Sequence, residues 1–369
     1  MKVLKKIVLT GGGTAGHIRP TLSVADEIKK IDPEIEFIYI GLKSGMEAKI
    51  VSGTDFKFYG IHAGKIKRYW SGSNFLTPLV VILGFFESLS ILLREKPQAI
   101  FAKGGYVTVP VAMAGWFLKI PILIHESDSV MGLSNKFLSR LAKKVATVFP
   151  ASSYSKKIQP KIIWSGLPIK KEILNLQKNK AYQIFGLSDQ IPITLVFGGS
   201  QGSFRINELI LKNLKKLLSI TQILHFTGVE DFERVNQKRK RLATELKERY
   251  QIFDFSEEIY YGLKAANLVI ARAGASSLSE ISAFGKASII IPLPTSAANH
   301  QVSNAEIYRE AKAAVVLKEE NLSANSFLKK VQSLISRPFL LEQLGKNANS
   351  LYKANAATTI AKNVLDLIK

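Results

Sequence analysis

Four short stretches pair glycine-rich turns or clustered polar side chains with the ends of apolar runs. The first, Gly11-Gly12-Gly13-Thr14-Ala15-Gly16-His17, matches G-x-G-x-x-G between a strand pattern and a helix pattern. Such a turn aims backbone N–H groups and a positive helix end at a pyrophosphate, as in dinucleotide sites. A dinucleotide site also needs an acid at the end of the next strand, but the chain there reads Tyr39-Ile40-Gly41-Leu42. The turn is therefore read as holding a pyrophosphate or sugar without dinucleotide geometry. His17 starts the helix, whose positive end is expected to keep the imidazole neutral and able to accept a proton. The plainer alternative is that His17 only bonds a neighbouring loop.

The second stretch, Gly198-Gly199-Ser200-Gln201-Gly202, contains the G-x-S-x-G of a serine-hydrolase elbow, and Asp254 and His300 follow in the required order. Ser200 ahead of a helix serves equally well as a diphosphate clamp, and a hydrolase leaves the other glycine turns unused. The third is Arg272-Ala273-Gly274-Ala275, with Glu280 one turn into the following helix, where its carboxylate can accept from a ribose diol. Ser277-Leu278-Ser279-Glu280 also spells a capping box that would spend Glu280 on the helix itself. The fourth is His125-Glu126 with Asp128 at a strand end, suited to acid–base or hydroxyl-binding work or to a closed loop network. The chain holds no Asp-x-Asp pair and no metal-spaced cluster. A departing diphosphate would then be neutralised by backbone amides and Arg272 rather than by a metal ion.

These stretches need elements to position them, and strand and helix patterns alternate throughout. Strands are expected at Lys6–Thr10, Glu36–Ile40, Ala99–Ala102, Ile122–His125, Lys144–Val148, Ile193–Phe197, Gln222–Phe226, Gln251–Asp254, Leu268–Ala271 and Ser288–Ile291. Helices are expected at 18–30, 79–94, 109–118, 133–141, 205–218, 233–249, 276–284 and 356–368. The strands are continuous apolar runs, as in parallel sheets buried on both faces. The pattern predicts an α/β chain of two Rossmann-like domains facing a cleft, with ligands at the carboxyl ends of the strands. The boundary is placed at Ser165-Gly166-Leu167-Pro168, giving domains 1–165 plus 354–369 and 166–353.

Composition narrows the partners. The 369 residues are 47% hydrophobic, enough for a sizeable core, and contain no cysteine, which excludes disulfides and thiolate metal sites. A net charge of +22 points to an anionic partner: a membrane surface, a phosphorylated substrate or nucleic acid. No nucleic-acid signature accompanies the charge, and no signal peptide precedes the first strand. The most apolar segment, 75–93, is interrupted by Pro78, Gly84 and Glu87 and reads as too weak to span a bilayer. Leu79, Ile82, Phe85 and Phe86 recur there at helical spacing, as on a helix lying in a membrane surface.

Taken together, these stretches, with Lys103-Gly104-Gly105-Tyr106, Gly132-Leu133-Ser134-Asn135-Lys136, His300-Gln301 and Asn304-Ala305, resemble the MurG-type UDP-N-acetylglucosamine transferases in order and over nearly the whole chain. The resemblance implies a GT-B fold whose last helix crosses back onto the first domain, with an acceptor- and membrane-binding first domain and a UDP-GlcNAc-binding second. It implies inverting transfer of GlcNAc, in peptidoglycan biosynthesis, to the C4 hydroxyl of a muramoyl-pentapeptide carried on undecaprenyl pyrophosphate. The enzyme would be peripheral at the cytoplasmic face of the membrane, on anionic lipid, with no metal, no cofactor and no nucleic acid. Carried over residue by residue, His17 and Glu126 would be catalytic. Thr14, Ala15, Gly16, Asp128, Lys170, Gly199, Ser200, Gln201, Ser256, Arg272, Ala275, Ser276, Ser277, Leu278, Ser279, Glu280 and Gln301 would contact UDP-GlcNAc. Gly13, Gly104, Gly105 and Tyr106 would meet the acceptor pyrophosphate, and the Leu79–Phe86 face the membrane. The chain departs from the family at Asp128, commonly Asn, and at Gly166-Leu167-Pro168-Ile169-Lys170, commonly Gly-Asn-Pro-x-Arg. A transferase using another lipid acceptor, such as diacylglycerol, is the alternative.

Overall fold

The computed structural model describes residues 5–12, 15–64, 73–199 and 201–368. The chain divides into two compact units, Met1–Ile169 with Lys353–Lys369 and Lys170–Tyr352.

In the first unit, β1 (Lys6–Thr10), β2 (Glu36–Leu42), β3 (Lys57–Ile61), β4 (Ala99–Ala102), β5 (Ile122–Glu126), β6 (Lys144–Thr147) and β7 (Ile162–Trp164) form one parallel sheet ordered β3-β2-β1-β4-β5-β6-β7. Alternate residues point to opposite faces, and both faces are covered. Ile7, Leu9, Phe37 and Phe101 join one core, and Val8, Ile38, Ile40 and Ile124 the other. This is why the central strands read as unbroken apolar runs. The helices are α1 (Ala15–Ile31), α2 (Met46–Val51), α3 (Ser73–Glu95), α4 (Thr108–Phe117) and α5 (Leu133–Leu141). The last helix of the chain, Ala356–Leu365, packs on α1 and places Ile360, Ala361 and Val364 in the first core. Its Thr358 donates to Glu27 at 2.6 Å, and Lys144 donates to its Asn363 at 2.8 Å.

In the second unit, β8 (Ile193–Phe197), β9 (Gln222–Phe226), β10 (Tyr250–Phe253), β11 (Leu268–Ala271), β12 (Ala287–Ile290) and β13 (Val315–Val316) form a parallel sheet ordered β10-β9-β8-β11-β12-β13. Its helices are α6 (Lys171–Leu174), α7 (Lys178–Phe185), α8 (Phe204–Lys212), α9 (Leu214–Leu218), α10 (Phe232–Lys240), α11 (Thr244–Glu248), α12 (Ile259–Ala265), α13 (Ala275–Ala283), α14 (His300–Glu310), α15 (Ala324–Ile335) and α16 (Pro338–Ser350); Ala356–Leu365 is α17. The helix expected over 205–218 breaks at Asn213, whose amide donates to Leu209 O and Ala324 O and so competes with the backbone. The helix expected over 233–249 breaks after Lys240, where Leu242 turns into the core. Three strands absent from the sequence reading, β3, β7 and β13, lie at sheet edges, where partial exposure weakens the apolar pattern.

Both sheets reverse their strand order at one place, between β1 and β4 and between β8 and β11. Chains leaving those neighbouring carboxyl ends part company and open a crevice, where ligands of such sheets sit. The glycine turns flank these two points.

Candidate functional site

In the first unit the loops after β1, β4 and β5 converge. Gly13 and Thr14 lie outside the described residues, as do the side chains of Ala15 and Gly16, whose backbone opens α1. The Tyr39 hydroxyl donates to Gly11 O at 2.5 Å and pins the start of the first turn. Gly104 and Gly105 both have positive φ, and a Cβ on Gly105 would stand 2.5 Å from Gly12 O. Two glycine turns can therefore stack with their amides close together only because neither carries a side chain there. Tyr106 follows, half-buried, with its hydroxyl pKa raised by burial and then by Glu47.

His17, on the first turn of α1, has its pKa lowered to about 4 by burial and, next, by the charge of Lys103. The imidazole is neutral as expected, but the cause differs from the helix end invoked above. Glu126 is 5% exposed and its carboxylate is already engaged. One oxygen accepts from Asp128 N at 2.9 Å, and the other from Gly132 N at 3.1 Å and Asn135 Nδ2 at 3.0 Å. Burial, then Asp128, pushes its pKa up, while the N–H donors and Lys103 pull against that. This geometry makes Glu126 a brace for the 126–132 loop rather than a free base, the closed-network alternative of the sequence reading. Asp128 is half-buried, and its carbonyl accepts from Tyr154 Oη at 2.9 Å. Lys103 is 2% exposed, and Asn135, which donates to His125 O at 3.1 Å, is equally part of the cluster. Both stood in quoted motifs, yet neither was assigned a role. The signal for Lys103 was a lysine between a buried strand and a double glycine.

In the second unit the β8–α8 turn and the β11–α13 turn meet at the switch point. Ser200 lies outside the described residues. Gly199 and Gly202 have positive φ, and a Cβ on Gly202 would fall 2.1 Å from Thr227 O. Gln201, beside it, is exposed. Gly274 precedes α13 without a side-chain cap, so no capping side chain takes the first N–H groups of the helix, those of Ala275, Ser276 and Ser277. Glu280 lies deeper in the helix and accepts from Tyr260 Oη at 3.3 Å; the capping-box alternative is overturned because α13 starts at Ala275. Ser276 is exposed, whereas Ser277, Leu278 and Ser279 are buried, so Leu278 contributes core packing rather than a side-chain contact. Gln301 is half-buried, and its oxygen accepts from Leu293 N at 3.0 Å, which leaves its NH2 to meet a hydroxyl. Ser256 Oγ accepts from Glu258 N at 3.0 Å, and Lys170 is an exposed residue just before α6.

Two expectations change. Arg272 is buried and tied, with Nε donating to Ser203 Oγ at 3.0 Å and Nη1 to Ile291 O at 3.1 Å and to the Glu319 carboxylate. Its charge is matched by Glu319, so it braces the two turns and does not offer a free cation to a diphosphate. The hydrolase alternative also fails on geometry. His300 Nδ1 donates to Ala297 O at 2.7 Å, and Asp254 accepts from Phe255 N at 2.6 Å, so the acid does not orient the base. Among the described residues, no group of three or more His, Asp or Glu is placed to hold a metal ion.

On α3, Leu79, Ile82 and Phe86 are exposed, joined by Leu83 and by Trp116 and Phe117 at the end of α4, which the sequence reading did not name. Phe85 is instead half-buried against the core, edge-on to Phe117 at 6.2 Å. Thr77–Glu95 is long and apolar enough to cross a bilayer by length and composition, contrary to the expectation of weakness. Its other face is docked, however. Ser88 is fully buried, Glu87 accepts from His62 N at 2.7 Å, and Glu95 accepts from Lys6 at 3.0 Å, from Tyr59 at 2.5 Å and from Lys57.

The comparisons agree with this geometry. The glycosyltransferase family 28 N-terminal domain matches residues 7–147 and its C-terminal domain residues 193–366. A UDP-N-acetylglucosamine–N-acetylmuramyl-(pentapeptide) pyrophosphoryl-undecaprenol N-acetylglucosamine transferase of Clostridium botulinum is 37% identical, over 99% of each chain. The Clostridium tetani protein of that name is 36% identical, over 99% of this chain and 98% of its own. The crystal structure of Acinetobacter baumannii MurG superposes with a TM-score of 0.78 at 25% identity, over 98% of this chain and 99% of that one. With two Rossmann-like units of GT-B type, each with glycine turns at its switch point, and relatives of this identity over their full length, the chain belongs to glycosyltransferase family 28 and, within it, to the MurG-type N-acetylglucosamine transferases.

Proposed function

We propose that this chain transfers GlcNAc from UDP-GlcNAc to the C4 hydroxyl of MurNAc-pentapeptide on undecaprenyl pyrophosphate, with inversion at the anomeric carbon. As a member of its family it is a UDP-GlcNAc-dependent hexosyltransferase acting on a lipid-linked substrate. The observation that carries the site assignment is a neutral His17 beside two stacked glycine turns in one unit, with an uncapped helix start beside a third turn in the other.

The second unit holds the donor. Gly199, Ser200 and Gln201, with the first N–H groups of α13 from Ala275, take the diphosphate, and Ser276, Ser277, Leu278 and Ser279 line it through their backbone. Glu280 accepts from the ribose diol, Ser256 faces the uracil, Lys170 lies toward the phosphates, and Gln301 donates to the sugar. UDP departs into amides and a helix end that are already oriented, which is how preorganised dipoles stabilise developing charge without a metal. The first unit holds the acceptor. Gly13, Gly104, Gly105 and Tyr106 meet its pyrophosphate, and Thr14, Ala15, Gly16 and Asp128 line the sugars. His17 takes the proton of the attacking hydroxyl as the glycosidic bond to UDP breaks.

The lipid acceptor requires access to a membrane surface. The α3 face of Leu79, Ile82 and Phe86, extended by Leu83, Trp116 and Phe117, docks into the interface, and the +22 charge favours anionic lipid. The protein is thus peripheral, at the cytoplasmic face where a UDP-sugar is available.

The test is UDP release from UDP-GlcNAc in EDTA, with and without the lipid-linked muramoyl-pentapeptide. Acceptor-dependent release with a disaccharide product establishes donor, acceptor and metal independence together. Binding of UDP-GlcNAc without transfer moves the acceptor to another lipid, such as diacylglycerol. No binding of UDP-GlcNAc overturns the reading.

A further inference from the structure

His225, on β9, is a fully buried imidazole that the mechanism above does not use. Both of its ring nitrogens are engaged. Nε2 lies 2.9 Å from Asn207 Oδ1 on α8, and Nδ1 lies 2.8 Å from Tyr250 Oη at the start of β10. Asn207 is fully buried too, and its Nδ2 donates to Thr227 O at 3.0 Å and to the Asp231 carboxylate at 2.7 Å. Both of those partners only accept, which turns the amide NH2 toward them and the amide oxygen toward the imidazole. That oxygen also only accepts, so the imidazole proton sits on Nε2, and Nδ1 accepts from the tyrosine hydroxyl. Burial lowers the His225 pKa to about 3, so the ring stays neutral and keeps this one polarity. Arg234 closes the far end, with Nη2 donating to Asp231 at 2.6 Å.

The chain of bonds ends on a backbone carbonyl beside the donor glycine turn. Thr227 O is the atom that a Cβ on Gly202 would meet at 2.1 Å, and a Cβ on Gly228 would stand 2.5 Å from Gln201 O. The turn after β9 is therefore stacked, backbone on backbone, against the end of the turn after β8. Thr227 is held from its other side by its N–H, which donates to Phe253 O at 2.9 Å.

We propose that His225 is a positioning residue of the donor side, fixing through Asn207 the Thr227 carbonyl against which Gly202 packs. This rests on the donor reading above, in which Gly199, Ser200 and Gln201 take the diphosphate. A buried imidazole with both nitrogens paired specifies one arrangement of its neighbours, because any other leaves a polar group in the core without a partner. Asn207 sits on the helix that the glycine turn leads into, so its two N–H bonds tie the start of α8 to the turn after β9, with Gly202 between them. Amides that are to hold a diphosphate stabilise charge only when they are already in place, and His225 reaches them through two bonds rather than by touching the ligand.

The experiment compares His225→Phe, which keeps a ring and deletes both nitrogens, with His225→Gln, whose amide N–H can still donate to Asn207, in the full-length protein. It reads UDP affinity by calorimetry, KM for UDP-GlcNAc and for the lipid-linked acceptor, and amide hydrogen exchange. His225→Phe should weaken UDP affinity and raise the UDP-GlcNAc KM by about tenfold, and His225→Gln should recover most of that loss. The acceptor KM should stay within about twofold, since the acceptor residues lie in the other unit. Exchange should quicken at residues 201–203 and 227–228 in His225→Phe. Donor affinity of His225→Phe equal to wild type, or His225→Gln no better than His225→Phe, would overturn the proposal. Equal losses on the donor and acceptor sides would also overturn it, as a general structural effect. Should His225→Phe not fold, Tyr250→Phe, which removes only the hydroxyl that orients the ring, takes its place. A loss confined to donor affinity then supports the proposal, and unchanged donor affinity overturns it. A wild type that binds neither UDP nor UDP-GlcNAc refutes the donor reading instead. The hold on the turn is then decided by exchange alone, with unchanged rates at 201–203 and 227–228 overturning it.

Discussion

At the residue scale, chemistry follows from what surrounds each side chain. His17 is kept neutral by burial and by Lys103, while Glu126 is consumed by its own loop. If His17 is the proposed base, His17→Ala should lower kcat by about 10²- to 10⁴-fold while leaving UDP-GlcNAc affinity near wild type. Near-normal turnover in steady-state assays would remove it from the mechanism. With a pKa near 4, wild-type kcat/KM should show no His17 limb between about pH 6 and 8. Arg272 illustrates the opposite case, a cation already neutralised by Glu319. Arg272→Met leaves that carboxylate without its partner and unties Ser203, so a loss of about 3 kcal/mol is expected in denaturant unfolding. A loss of diphosphate binding at unchanged stability would instead make Arg272 a direct ligand. The identities of His17, Glu126 and Arg272 were legible as candidates, but their roles were not, because sequence spacing does not say where a side chain's hydrogen bonds end.

At the element scale, α3 has two faces with opposite tasks. Burial alone would raise the Glu95 pKa, but hydrogen bonds from Lys57, Tyr59 and Lys6 outweigh it and bring it to about 2, from an ordinary 4.5. A depressed carboxyl pKa stabilises the fold above about pH 4.5, and the contribution is lost as pH falls through about 2. It is worth on the order of 3 kcal/mol, so Glu95→Gln should lower the thermal midpoint at pH 7 and flatten its decline between about pH 4.5 and 2. A variant with the wild-type acid profile would place the anchor of α3 elsewhere. On the other face, Leu79→Ser with Phe86→Ser should reduce co-sedimentation with anionic vesicles by about tenfold and barely shift the midpoint. Unchanged vesicle binding would reject this face as the dock. Helical spacing marked Leu79, Ile82 and Phe86 correctly as outward, yet it misplaced Phe85. It also had no means of bringing Trp116 and Phe117 alongside, because those come from a different helix.

At the scale of the whole molecule, the chain is closed by its last helix, which returns to the first unit and completes a core with Ile7, Leu9 and Ile18. Ile360 is fully buried there. Ile360→Ala should therefore cost about 2–5 kcal/mol in urea unfolding. If the last helix is instead a dispensable tail, the midpoint will not move. The net charge of +22 acts at this scale as well, since it sets a long-range attraction to anionic surfaces that salt weakens, without choosing a fold.

The sequence by itself determined the fold class and the location of the glycine turns. Runs such as Leu268–Ala271 are apolar at every position, as parallel strands buried on both faces are, and a glycine turn between strand and helix presents backbone N–H groups to an anion. Glu280 could be singled out because its position follows from local helix geometry, whereas Gln301 came only with the family resemblance. Tertiary structure alone decided the rest. Of the edge strands, β3, β7 and β13 carried too weak a pattern to be read, and α8 and α9 are separated by Asn213, which bonds a residue more than one hundred positions away. Lys103 reached Ser127 only once β4 and β5 stood side by side. Which loops meet is a property of the sheet order rather than of any local run of residues.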